Sequence, residues 1–300
     1  MPDKELKIDL PDKLLTAGDV VGRAVRIARQ NWLVLGKFFL LPTMIYWLVV
    51  PCAFWDSTAY TNNFPSNVSF WIMVFGFIMI FLSMWEVAVK KFALISYIAG
   101  AAPTLDEALK KAQKKMWTVL LLTIPVFIFE TIENFLSVIS TKLSAISGHE
   151  KVSEVFAFFE LWLIGAEFLL LLPFLLVTVL NAYYIAFIIF EDSSIARACG
   201  RFFSLTFEDW FYVTITLSLM CLVYFCAGAP ILGIVAFEAF LPRDALWYFV
   251  GGIVSAIIAG PLDGFMSAVL TICGALLYKQ VSARREGRDL LDKLQLLKAK

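Results

Sequence analysis

Apolar positions along this chain gather into runs too long for a water-surrounded core. A helix crossing a bilayer needs about 20 mostly apolar residues to span a hydrocarbon core of about 30 Å. Six stretches meet that need: 32–55, 70–89, 117–136, 161–190, 210–240 and 247–280. The last three exceed the need, which implies tilt, a break or extension beyond the lipid. Tryptophans such as Trp32, Trp117, Trp210 and Trp247 sit at the ends of the runs, where amphipathic rings favour the headgroup level. The pattern predicts an all-α, polytopic membrane protein with six transmembrane helices.

A second pattern precedes the odd-numbered runs. Val20, Val21, Ala24, Val25 and Ala28 share a helical face, with Arg23, Arg26 and Arg29 elsewhere. Leu105, Ala108, Leu109, Ala112 and Met116 repeat the spacing opposite Lys110, Lys111, Lys114 and Lys115. Ile195, Ala198, Cys199 and Phe202 do so opposite Arg197 and Arg201. Thr104 with Glu107 makes a capping box, and Ser193 or Ser194 suits an N-cap. Each short helix leads to a tryptophan and then a span. The expected architecture is three parallel repeats of one amphipathic helix plus two spans, at 17–103, 104–191 and 192–280. The apolar faces of the short helices are expected to sink into the headgroup boundary, with their basic faces towards anionic lipid. Residues 281–300 form a basic tail with Leu290, Leu291, Leu294 and Leu297 on one face, expected to dock on the membrane or on a partner.

Composition agrees with lipid as the solvent: 60% of residues are hydrophobic and 17% charged, far from the soluble average. Net charge is zero, which gives no reason to expect nucleic acid as a partner. The distribution of Lys and Arg is strongly biased. The side holding both termini and the regions 90–115 and 197–201 carries 21, the other side 3, and Lys37 lies inside the first run. The positive-inside rule then places both termini in the cytoplasm. A cleaved leader is not expected, because the first thirty residues mix both charge signs. Five scattered cysteines and the single His149 give no disulfide framework, zinc site or cofactor site. Walker, GxSxG and HExxH patterns are absent from the sequence, so no enzyme is expected.

Several motifs carry a resemblance. DVVGRAVRIARQNWLVLGKFFLLP resembles the start of a six-helix bacterial membrane domain found fused in front of some glycerophosphodiester phosphodiesterases and in free-standing membrane proteins. TLDEALKKAQKKMWTVLLLTIP resembles its middle copy, and LLYKQVSARREGRDL, from Leu276 to Leu290, its last span and exit. The resemblance covers nearly the whole chain. It implies six helices and the bacterial inner membrane, with little chemistry. The phosphodiesterase barrel has no counterpart here, and its site calls for two histidines, so the activity is not carried over. Asp263 lies outside the resembling pattern.

Charges inside the runs need a reason, since each costs at least about 2.5–3.5 kcal/mol to insert. Asp263 is the strongest case. It lies in the sequence Gly260-Pro261-Leu262-Asp263-Gly264, where the proline is expected to kink or break the helix. A broken helix with an acid at mid-depth suits an ion or substrate site. The competing reading is close packing through Gly260 and Gly264, with Asp263 bonded to a neighbouring helix. Glu86 is expected to pair with Lys90 at i+4. Glu130, Glu133 and Glu167 lie towards the outer ends of their runs, and Asn181 lies among aromatics. The expected function is a non-catalytic membrane protein of assembly, envelope-support or accessory type, contacting lipid or another membrane protein. The alternative is a transporter or channel with its site at Asp263.

Overall fold

The structure is a computed structural model. It describes residues 14–53, 66–132 apart from 116, 122, 125, 129 and 130, 180–239 apart from 193, and 245–298. Among these residues every regular element is a helix. Four helices are long and apolar enough to cross a membrane. They are α2 (Trp32–Ala53), α3 (Ser66–Ile98), α8 (Trp210–Ala239) and α9 (Ala245–Lys298). Two shorter apolar helices, α5 (Trp117–Ile128) and α6 (Leu180–Phe190), belong to the third and fourth expected spans. The rest of those spans, with Glu130, Glu133 and Glu167, lies outside the described residues.

Three amphipathic helices also lie among the described residues: α1 (Ala17–Gln30), α4 (Leu105–Lys114) and α7 (Ile195–Glu208). Local chemistry sets their starts. Thr16 caps α1 by accepting from Asp19 N–H at 3.2 Å, and the Asp19 carboxylate accepts from Thr16 N–H, a full capping box. Thr104 caps α4 by accepting from Glu107 N–H. Ser194 stands at the N-cap of α7 without a side-chain cap bond. Helix α3 ends through Gly100, whose φ of 71° lets Ala101 N–H reach back to Ser96 O.

The three short helices end alike. Asn31, Lys115 and Asp209 each leave helical geometry for one residue, with φ/ψ of −109/19°, −93/29° and −116/33°. The carbonyl of each then accepts from the N–H four residues on, at Leu35, Val119 and Val213. Those three side chains are buried. One residue in the bridge region turns the chain from the short helix into the apolar one.

The core is organised around α9, which packs on α1, α2, α3, α7 and α8. Its segment from Val269 to Leu277 is almost wholly buried. By contrast Leu41, Phe75, Ile78, Leu82, Ile215, Leu222 and Ile257 are exposed large apolar residues on the long helices. Such a surface suits lipid and not water.

Three expectations need correction. The apolar faces read from the sequence meet protein at their alanines and not lipid: Val20, Ala24 and Ala28 of α1, Ala108 and Ala112 of α4, and Ala198 of α7 are fully buried. Small alanines allow the close approach that other helices exploit. Lys90 and Lys91 do not belong to a loop, because α3 continues to Ile98. Without them the Lys and Arg count of the two sides is 19 against 3, so the bias survives. Finally, the sixth run is not broken. Helix α9 passes through Pro261 and continues without interruption into the basic tail.

Candidate functional site

Asp263 draws a polar group from each of the other membrane-length helices. Lys91 of α3 acts on it as an opposite charge, and the Tyr224 phenol of α8 and the Trp47 indole of α2 lie beside it. Trp47 Nε1 is buried and falls short of hydrogen-bond geometry. Lys91 is only 8% exposed, whereas Asp263 keeps some accessible surface. A buried ammonium is favoured by an opposite charge nearby, and Asp263 is the one that acts on Lys91.

Glycines bring the helices close enough for this. A Cβ built on Gly260 would lie 2.9 Å from Met44 Cγ and 3.0 Å from Met44 Cα. One built on Gly264 would lie 3.2 Å from Thr43 Oγ1. Only a residue without a side chain fits at such spacing. Pro261 offers no N–H to the carbonyl of Ile257, four residues back, yet packing on α2 carries the helix through. The expected break at Gly260-Pro261-Leu262-Asp263-Gly264 is therefore replaced by a tight helix crossing. Thr43 lies eleven residues beyond Trp32, about 16 Å along the axis at 1.5 Å per residue. The crossing beside Asp263 thus sits well inside α2.

Hydroxyls along the same helices are already engaged. Thr43 donates to Phe39 O at 3.0 Å, Ser83 to Met79 O at 2.8 Å, and Thr216 to Tyr212 O at 2.8 Å. Back-bonding to the carbonyl four residues earlier is how a hydroxyl is satisfied within an apolar helix.

The remaining sequence candidates separate from this cluster. Glu86 pairs with Lys90 at 2.9 Å, as the i,i+4 spacing predicted, and the Lys90 ammonium lies 5.6 Å from the Phe38 ring centre. Asn181 of α6 is half-buried beside Ala182, whose carbonyl carbon would lie 2.8 Å from a Cβ on Gly274. No group of three or more His, Cys, Asp or Glu side chains occurs among the described residues.

A second polar cluster was not foreseen. Leu15, just before α1, donates its N–H to Gln280 Oε1 at 2.8 Å. Its carbonyl accepts from Arg284 Nη2 at 3.1 Å and from the Tyr212 hydroxyl at 3.2 Å. The Arg284 guanidinium stacks 3.8 Å from the Tyr212 ring centre. Arg285 reaches Glu208 at 3.5 Å. The basic start of the tail therefore clamps α1 and α7 of its own chain. Nothing in the sequence spacing linked Leu15 to residues 265 positions away.

No family model, curated protein or solved structure matches this chain.

Proposed function

We propose that the chain is a non-catalytic, multi-span membrane protein of assembly, envelope-support or accessory type, which holds lipid or another membrane component against a rigid helical frame. The observation that carries this reading is the unbroken, glycine-packed crossing of α9 on α2 at the level of Asp263. A transport pathway through this point would require the helices to part. The attraction between Lys91 and Asp263 supports the same reading, since it favours α3 and α9 staying together.

The finer architecture belongs to the same proposal. Six spans form three parallel repeats, a reading supported by the matching turns at Asn31, Lys115 and Asp209. The membrane is the bacterial cytoplasmic membrane, with both termini in the cytoplasm; the charge bias supports the orientation, and the motif resemblance supports the bacterial setting. The test is reconstitution of the purified protein in liposomes. The reading expects no protein-dependent movement of protons, cations or small solutes, and co-purification of a membrane partner from native membranes. Flux from the purified protein alone would overturn it.

One observation favours a second reading. Asp263 retains accessible surface while Lys91, Trp47 and Tyr224 converge on it. A transporter or channel using that carboxylate would lose flux on Asp263→Asn at unchanged expression; unchanged flux would exclude the residue from any pathway.

A further inference from the structure

The residues of α7 sort into three faces, about 120° apart at 3.6 residues per turn. Ile195, Ala198, Cys199, Phe202, Leu205 and Thr206 face the bundle, with Ala198 and Leu205 buried. Arg197, Arg201, Ser204 and Glu208 form the polar face. Arg201 pairs with Glu191 at 3.3 Å, and Arg285 reaches Glu208 and Ser204. The third face is apolar and exposed: Ala196, Gly200, Phe203 and Phe207, at i, i+4, i+7 and i+11. Phe203 is 51% and Phe207 71% exposed, and their rings stack at 6.2 Å.

The other two amphipathic helices lack such a face. Exposed positions of α1 are Gly18, Asp19, Gly22, Arg26, Arg29 and Gln30. Those of α4 are Asp106, Glu107, Lys110, Lys111, Gln113 and Lys114. Neither carries an exposed large hydrophobic side chain.

We propose that α7 alone of the three beds into the bilayer, with Phe203 and Phe207 inserted at the boundary between headgroups and acyl chains. The occupant is lipid because the spacing of exposed aromatics carries on from Phe207 to Trp210 and Phe211, three and four residues later, exposed by 61% and 65% where α8 begins its apolar run. The surface that α8 offers to acyl chains therefore extends past the end of the span onto α7. Two aromatic rings above an aromatic belt, with Arg197 exposed one face round, match an interfacial helix. The inference rests on the membrane placement proposed for α8.

The test uses full-length, cysteine-free protein in phosphatidylethanolamine–phosphatidylglycerol vesicles, spin-labelled singly at Phe203→Cys, Phe207→Cys, Arg197→Cys or Ile215→Cys. Labels at 203 and 207 should be broadened by oxygen more than by a water-soluble nickel complex, as at 215, whereas 197 should show the reverse. Nickel access at 203 and 207 equal to that at 197 would overturn the proposal. Protection from both reagents would also overturn it, by showing a protein partner or second copy on the stripe. Lipid exposure at 215 separates either failure from a failure of the membrane reading itself.

Discussion

Lys91 on α3 and Asp263 on α9 act on each other as opposite charges inside a bundle of membrane-length helices. Truncating either leaves the other without an opposite charge nearby, which should destabilise the bundle. Lys91→Met and Asp263→Leu should each lower the thermal midpoint in detergent. The double variant should recover much of the loss, because it leaves no uncompensated charge. Additive losses would show that the two residues are not coupled.

Glycine substitutions should rank by what a new Cβ meets. On Gly274 it would lie 2.8 Å from the backbone carbon and oxygen of Ala182, which cannot rotate away. Gly274→Ala should cost about 1–3 kcal/mol. Gly260→Ala meets both the mobile end and the backbone of Met44 and should cost less. Gly22→Ala in α1 meets nothing within 4 Å and should stabilise by up to about 1 kcal/mol. Thermal midpoints in one detergent check the order.

Arg284→Met should loosen the start of α1. The variant loses the bond to Leu15 O and the stacking on Tyr212, together about 1–3 kcal/mol of local stability. Hydrogen exchange should quicken at Asp19 and Val20 and stay unchanged in the middle of α2. No change at Asp19 and Val20 would mean that the Arg284 contacts do not hold the start of α1.

Two exposed carboxylates outside the apolar helices set an acid limit. The hydrogen bond and then the charge of Lys115 hold Asp192 below its ordinary value of 3.8. Thr16 does the same for Asp19. A depressed carboxylate stabilises the fold fully above the unfolded value, and the contribution fades as pH falls through the lower folded one. Thermal midpoints should therefore be insensitive to these two groups from pH 7 to pH 4 and fall below about 3.8. Asp192→Asn should lower the midpoint at pH 7 and flatten part of the acid limb.

Helix class, the four membrane-length helices and the Glu86–Lys90 pair were legible because each rests on local spacing. The same spacing gave the short helices, yet not what their apolar faces would touch. Lipid and a neighbouring helix reward the same periodicity, and only packing shows that Ala24 and Ala108 meet protein. Pro261 misled for a related reason. A proline's local penalty is visible in sequence, whereas the support from Met44 and Thr43 comes from residues over two hundred positions away. Asp263 was found by its cost in an apolar run. Its partner Lys91 was hidden, because a lysine beside Lys90 at the end of an apolar run reads as a cytoplasmic charge.

Membrane placement and orientation underlie the whole account, and dual reporter fusions test them most directly. Reporters after residues 60, 150 and 243 and at both termini should divide cleanly. The account predicts cytoplasmic activity only at the two termini and external activity at the other three sites. A cytoplasmic signal at 60, 150 or 243, or protein that stays in solution without detergent, would contradict it.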